Sequence, residues 1–330
     1  LVAGKAKLPE QPECTFGVHE DCEGGFNAAR GQKIGLWRRP AMWQLVVGAV
    51  LISFSAVFVK LVHVPPTVSG FYRVFFGGVI LLAVVLWRRE HPRLNAASWS
   101  KLLLAGFFFA LDLFFWHRSI LYVGPGVATL LANFQVFVMA AVGVLFLNER
   151  LSLFQWLAIV MAMFGLVLLV GADWSHLSPL YHWGIVLALI SAVAYAGYLL
   201  ALRSTRNATG GSSYSAITIT SFASAAMLAV SLLVEGESFA IPTWADAGWL
   251  LLYGLVPQVL GWVLISHSMH KVQASQVGLV LLLQPACAFV WDSAFFGRHF
   301  SPPELAGAAI TLVAIYMGSL RRSPMRKRIA

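Results

Sequence analysis

The sequence predicts an all-α polytopic membrane protein with ten transmembrane helices arranged as two inverted five-helix repeats. Three observations lead there. The 330 residues are 59% hydrophobic and 11% charged, with a mean hydropathy of +0.76. Apolar runs of roughly twenty residues recur along the chain, and that length spans about 30 Å of hydrocarbon. Finally, the chain resembles itself at an offset of 149 residues. A slide of that size lays residues 123–152 on residues 272–301 without a gap, pairing Leu130 with Leu279, Gln135 with Gln284 and Ser152 with Ser301.

The spans are read at 42–63, 66–87, 99–120, 123–147, 152–171, 182–202, 213–234, 244–267, 272–296 and 302–320. The offset carries spans 3 to 5 onto spans 8 to 10, so the repeating unit has five spans. An odd number of crossings starts the second copy from the opposite face, which is the inverted-topology arrangement of many secondary transporters. The domain organisation expected is a tail at 1–41, a first repeat at 42–171, a second at 182–320 and a basic tail at 321–330.

Charge orients this layout. Of the 23 Lys and Arg residues, 19 fall in the two tails and alternate loops, 2 (Arg118 and Arg298) fall on the other side, and Lys60 and Arg73 lie within spans. Basic residues accumulate on the cytoplasmic side of membrane proteins. Both termini are therefore expected in the cytoplasm, with the acids Asp173, Glu235, Glu237 and Asp246 outside. A formal net charge of +9 would suit nucleic acid, but these cations sit between apolar runs and form no patch with exposed aromatics. No nucleic-acid partner is expected.

The first 41 residues are polar and lack an apolar h-region, so they read as a disordered cytosolic tail and not as a secretory signal. Cys14, His19 and Cys22 lie close together there, yet a lone Cys-x7-Cys lacks the paired short spacings of zinc sites. Neither a metal nor a cofactor is expected. Cys287, within span 9, reads as a small packing residue.

Four stretches carry a family resemblance: "PTVSGFYR" (66–73) opening span 2, "GPGVATLL" (124–131) opening span 4, "LNERLS" (147–152) closing it, and the Gln284-Pro285 pair in span 9. Over roughly residues 40–320 the chain resembles the drug/metabolite transporter superfamily, specifically its ten-span bacterial permeases built from two EamA-type repeats. It departs from their pattern after span 9, where "GRHFS" (297–301) puts Arg298 and His299 in place of an acid. The resemblance implies a secondary transporter of small metabolites in the cell inner membrane, commonly an exporter, with a central cavity between the repeats. Its partners would be a small-molecule substrate and the bilayer, with a coupling proton as a candidate.

The intramembrane polar residues supply the chemistry. Arg73 lies seven residues, about 10 Å, inward from Pro66, and Asp112 is at similar depth on the next span. Charges at such depth face a cavity or each other. Two readings follow: an Arg73–Asp112 clamp between spans 2 and 3, or Asp112 as a protonatable or cation-binding group on the path. Trp116, four residues beyond Asp112 on the same face, offers an aromatic wall. Arg118 and His117, near the outer end, could reach the interface. Asp292 is expected in a local salt bridge with Arg298 and His299 close by.

Segment 128–150 holds two amides amid hydrocarbon, and an unpaired amide away from water costs several kcal/mol. On a continuous helix Asn133 and Gln135 point about 200° apart. The repeat pairs Gln135 with Gln284, so these two are expected to line the cavity while Asn133 bonds within its own repeat. Gln258 beside Pro257 joins the path-lining set of Arg73, Asp112, Trp116, Gln135 and Gln284. Pro285 leaves a carbonyl unpaired at a helix break, and Glu149 closes span 4 in a structural role. Ala188, Ala192 and Ala196, and Ser221, Ala225 and Ala229, form small-residue seams for close helix packing. An intramembrane enzyme or a non-transporting membrane component is the alternative class. An enzyme would need a nucleophile–base pair, a metal cluster or paired carboxylates at midplane depth; no His-Glu-x-x-His, Asp-rich repeat or Gly-x-Ser motif occurs in a span.

Overall fold

The computed structural model describes residues 40–90, 94–138, 141–142, 153–170, 178–205, 212–269, 280–281 and 283–319. Helices follow one another as α1 (Pro40–Ser53), α2 (Ser55–Leu61), α3 (Pro66–Trp87), α4 (Ala96–Val123), α5 (Pro125–Ala132), α6 (Leu153–Val170), α7 (Pro179–Ser204), α8 (Ser213–Glu235) and α9 (Trp244–Tyr253). A π-helical segment (Gly254–Gly261) then leads into α10 (Trp262–Met269), followed by α11 (Leu283–Phe296) and α12 (Pro302–Ser319).

Local sequence sets the helix starts. Pro66, Pro125 and Pro179 open α3, α5 and α7, where a missing N–H costs nothing and a fixed φ is already helical. Asn95, Ser178, Ser212 and Thr243 cap α4, α7, α8 and α9 by accepting from the N–H three residues on. Gly236 ends α8 in the left-handed region at φ 67°.

Six helical stretches are long and apolar enough to cross a membrane: Ala41–Leu61, Pro66–Trp87, Ala96–Val123, Pro179–Leu202, Ser213–Glu235 and Trp244–Ser268. This corrects the expectation of ten spans. Three further apolar helices, Pro125–Val138, Trp156–Gly165 and Pro302–Ala314, have only 10–17 residues. Hydropathy counts apolar letters whether or not the backbone stays helical, and span 4 shows the difference, because its helix breaks at Asn133. Most of the aligned run around 143–152 and 271–279 lies outside the described residues, as do the two tails, Cys14, His19, Cys22 and Glu149. The inverted five-helix repeat is not established.

Packing is pairwise: α4 runs along α7, α6 along α12, and α3 along α8, which also touches α4. The seam expected on α7 is buried, with Ala188, Ala192 and Ala196 all at 1% exposure or less; no Cβ-to-Cγ branch stands between the backbones there. Large apolar side chains on the outer faces are exposed, among them Trp87 and Trp244 at helix ends, the placement of interfacial aromatics.

Polar contacts pin α3 to α8 at both ends and make the two antiparallel. At one end the Thr67 hydroxyl donates to Glu235 (2.9 Å) and accepts from Arg118 (2.6 Å), which also pairs with Glu235 (2.5 Å). At the other end Glu90 accepts from the hydroxyls of Ser212 and Ser215 and from Arg88. Burial pushes the Glu90 carboxyl up, but these hydrogen bonds outweigh it and hold the group below the ordinary carboxylate range. A folded-state value below the unfolded one means that the stabilisation is present at neutral pH and is lost as pH falls through the lowered value. The difference in thermal stability between the wild type and Glu90→Gln in detergent should therefore be widest near about pH 7 and close on acidification below about pH 4. A difference that stays constant across that range would exclude the linkage.

Candidate functional site

Where α1, α3, α4, α5, α7, α10 and α11 converge, a cavity of about 50 Å³ lies among buried side chains. Arg73, Asp112, Trp116 and Gln284 line it, together with Asn133, Tyr195 and Trp262. Its walls are aromatic. Phe109 stacks on Tyr198 at 4.4 Å between centroids, and Trp262 meets Tyr198 edge-on at 5.1 Å.

Arg73 is 4% exposed. Its Nε donates to Gln258 Oε1 (3.2 Å) and its Nη1 to the Tyr253 hydroxyl (3.2 Å). The guanidinium also lies over the rings of Tyr253 (5.1 Å) and Phe109 (5.5 Å), a placement that the ring quadrupoles favour. Asp112 takes its hydrogen bond from the Ser191 hydroxyl across the α4–α7 contact (2.5 Å). The Arg73–Asp112 clamp is thus corrected. Both charges reach one cavity, but each spends its bonds on neutral partners from helices that are remote in sequence.

Behind Arg73 a relay fixes its position. His117 is fully buried, and its Nδ1 lies 2.6 Å from the Leu113 carbonyl while its Nε2 lies 2.9 Å from the Tyr253 hydroxyl. A carbonyl only accepts, so Nδ1 carries the proton. Nε2 then accepts from Tyr253, whose oxygen receives the Arg73 N–H. The run Arg73–Tyr253–His117–Leu113 is satisfied throughout, and His117 does not reach the interface. Arg118, by contrast, is held by Glu235, Thr67 and the Phe114 carbonyl.

Gln258, expected on the path, does not line this cavity and bonds to Arg73 instead. It is completely buried, accepts from Arg73 and donates to Ser221 (2.9 Å). Its π-helical setting contains Pro257, whose missing N–H disrupts regular α-helical bonding. That segment rests on glycines of two neighbours: Gly254 abuts Gly77 of α3, and Gly261 abuts Gly48 of α1.

The two amides of the 128–150 segment differ from expectation in which of them lines the cavity. α5 ends at Ala132, and the N–H groups of Asn133, Phe134, Val136 and Phe137 bond three residues back. This tighter winding invalidates the 100° step on which the facing argument rested. Asn133 donates from Nδ2 to the Thr129 carbonyl (2.8 Å), a bond within its own segment, yet it also lines the cavity. Gln135 is buried without lining it. The Tyr195 hydroxyl lies beside the Gln135 and Gln284 side chains without completing a hydrogen bond to either. Among the described residues Gln135 Oε1, Gln284 Nε2, Tyr195 Oη, Thr129 Oγ1, Ser55 Oγ and Trp262 Nε1 find no hydrogen-bond partner, and all but Gln135 belong to residues lining the cavity. Buried polar atoms are normally hydrogen-bonded, so their convergence on one cavity makes it the candidate functional site.

Pro285 is buried two residues beyond Leu283, the start of α11. Asp292, also buried, lies between Lys60 (3.4 Å) and Arg298 (3.5 Å); Arg298 further bonds the Val123 carbonyl and pairs with Glu304. The local salt bridge expected for Asp292 therefore exists, with Lys60 as an added partner. Among the described residues no group of three or more His, Cys, Asp or Glu is placed to hold a metal ion. Sequence reasoning passed over Tyr195, Ser191 and Tyr253. Tyrosine inside a span reads as packing, and Ser191 falls beside the small-residue seam.

A multi-pass helical protein that buries opposite charges and unpartnered polar atoms around one intramembrane cavity has the make-up of a membrane transporter. The chain belongs to the EamA-like transporter family, within the drug/metabolite transporter superfamily: the family model matches residues 39–171 and again 182–320. It is a transporter of that family and not an enzyme. An uncharacterized transporter of Archaeoglobus fulgidus is 24% identical over 278 residues, covering 82% of this chain and 93% of the relative. The uncharacterized transporter YvbV of Bacillus subtilis is 25% identical over 263 residues, covering 77% and 83%. A solved crystal structure shares the fold with a TM-score of 0.64 at 18% identity, over 85% of this chain and 98% of that one.

Proposed function

We propose that the protein is a secondary active transporter that exports a small solute across the cytoplasmic membrane by alternating access, with the cavity between α3, α4, α7 and α11 as its solute site. The observation that carries this reading is the pair of opposite, unjoined charges, Arg73 and Asp112, in a cavity edged by unpartnered polar atoms. Such groups are costly inside a bilayer and are kept where they bind something. The cavity is far smaller than the roughly 300–1,000 Å³ of drug-sized sites, so the surrounding helices must part for solute to enter. Asp112, hydrogen-bonded through one oxygen, is the group assigned to a coupling proton. Residues 42–171 and 182–320 are taken as the two EamA-type halves, with both flanking tails cytoplasmic.

The test is counterflow in proteoliposomes. Purified protein, loaded with an unlabelled solute, should accumulate the same labelled solute for at least one member of a panel spanning neutral, cationic, anionic and zwitterionic metabolites. Failure of every class to exchange above empty liposomes would overturn the reading. For orientation, a cysteine at Glu237, in a background lacking the native cysteines, should react with an impermeant thiol reagent on intact cells, whereas one at Ala97 should not; the opposite pattern inverts the topology.

A further inference from the structure

We propose that the contact between α2 and α11 is the gate of the cavity toward one face of the membrane, hinged at Phe54 and latched by Lys60 on Asp292. This goes beyond the transporter reading above and takes from it only the cavity whose access is controlled.

α2 is built to close off that face. It has seven residues, about 10 Å of helix, and Ser55, Ala56, Val57, Phe58 and Val59 are all buried. Five consecutive buried positions go more than once round a helix, so this stretch keeps no face for lipid. It starts at the cavity, which Ser53 and Ser55 line, and ends where the Lys60 side chain is 33% exposed. On one side Phe58 stacks on Tyr253 of α9 at 5.9 Å between centroids. On the other, Phe54 stacks on Trp291 of α11 at 4.6 Å.

The hinge has a local cause. α1 stops at Ser53 and α2 starts at Ser55. The Ser53 hydroxyl donates to the Val50 carbonyl (2.6 Å), back-bonding of the kind that bends helices, and it accepts from Trp291 Nε1 (2.8 Å). The bend therefore sits at the rim of the cavity, braced by α11. Beyond the tip of α2 the His63 N–H donates to Asp246 Oδ1 of α9 (2.9 Å). With Phe58 on Tyr253 as well, α2 is tied to α9 by its fold and to α11 by its latch, so opening parts α2 from α11.

The latch can release without stranding a charge. Asp292 is completely buried, and a buried carboxylate left without a cation is strongly destabilising. Asp292 has two cations. Arg298 stays with the turn between α11 and α12: its Nη1 donates to the Val123 carbonyl (2.8 Å), its Nη2 lies 3.6 Å from Glu304, and it rests against Gly124, where φ is 81° and no Cβ stands in its way. Lys60 lies 3.4 Å from Asp292 Oδ1 and 4.7 Å from the centre of the Phe296 ring, with no other partner among the described residues. As α2 moves away, Lys60 reaches water on its flexible stem. Arg298 Nη1, 3.5 Å from Asp292 Oδ2, then closes on an oxygen that has no hydrogen bond. Two cations on one buried acid make a releasable latch, whereas a single pair would make a fixed one.

Cysteine accessibility reads the gate. Glu237 follows α8 at the end where α3 begins, the face that α2 closes. In a background lacking the native cysteines, an impermeant thiol reagent is applied to intact cells or inside-out vesicles, whichever preparation lets Glu237→Cys react. Ser55→Cys, in the cavity, should then react slowly. Adding Lys60→Met should speed that reaction roughly fivefold or more, because the closed contact has lost one partner of a buried pair. Lys60→Arg, which keeps the charge, should hold the slow rate, and Glu237→Cys should react alike in all three backgrounds. Equal rates for Ser55→Cys with and without Lys60→Met overturn the gate, as does an equal acceleration of Glu237→Cys, which marks general loosening. If Lys60→Met does not fold, Phe296→Leu decides: it removes the ring beneath Lys60 and should speed the reaction about twofold, since the cation–π contact is lost, and an unchanged rate overturns the gate. The reaction needs no solute, so failure of every solute class in counterflow would strike the transporter reading and leave these rates standing.

Discussion

Gly77→Val should leave little folded protein, whereas Gly248→Ala should behave as wild type. A Cβ at position 77 would meet Gln258 Cγ and lie 2.9 Å from Gln258 Cβ, with the Gly254 carbonyl 3.3 Å away. On the other side of the contact, a Cβ at Gly254 would meet Phe76 Cβ at 2.8 Å and the Gly77 backbone nitrogen at 2.9 Å. Neither helix can yield alone, because Gln258 is bound to Arg73 and Ser221 and the backbones touch across the two glycines. Overpacking a well-filled core costs about 1–3 kcal/mol, and here the strain also tears Gln258 from Arg73. Position 248 faces open space, with nothing within 4 Å of an added Cβ. The monodisperse fraction on size-exclusion chromatography should fall at least fivefold for Gly77→Val, with Gly77→Ala intermediate. Normal yield together with normal transport in Gly77→Val would show that α3 and the π segment do not meet as described.

The sequence discloses the parts of this protein that depend on single letters and short spacing. Arg73 and Asp112 stand out because a charge in a span must face something other than lipid, and both do reach the cavity. The alanine seam of α7 is legible for the same reason, since small residues four apart mean a close neighbour. What escapes is whatever depends on the neighbour's identity. Arg73 finds Gln258, 185 residues away, and Asp112 finds Ser191, 79 residues away; no local pattern encodes either meeting. The number of spans escapes because apolar letters persist through breaks such as the one at Asn133. The same break undoes the facing of Asn133 and Gln135, and with it the expected pair of glutamines across the cavity. Gln284 lines the cavity together with Tyr195, whose hydroxyl lies beside both glutamines.

Arg73→Ala should abolish exchange, and Arg73→Lys should restore only part of it. The side chain is 4% exposed and serves three elements at once: it bonds the π segment through Gln258, bonds α9 through Tyr253, and lies over the Phe109 ring of α4. Truncation leaves Gln258 Oε1 and one side of the Tyr253 hydroxyl without their donor, each at a cost of about 1–3 kcal/mol in a buried setting. It also leaves Asp112 as the sole charge in the cavity. Both consequences lower the rate, the first by loosening the site and the second by removing one of the two charges of the proposed solute cavity, so counterflow should drop at least a hundredfold. Lysine returns the charge but not the fork: a compact ammonium cannot reproduce the planar spread of N–H groups that reaches Gln258 and Tyr253 together. Arg73→Lys should therefore keep most of the folded protein and recover no more than about a tenth of the wild-type rate. The two variants separate charge from geometry. Equal loss in both would assign the effect to the fork, full recovery in lysine would assign it to charge alone, and undiminished exchange in Arg73→Ala would remove Arg73 from the solute site.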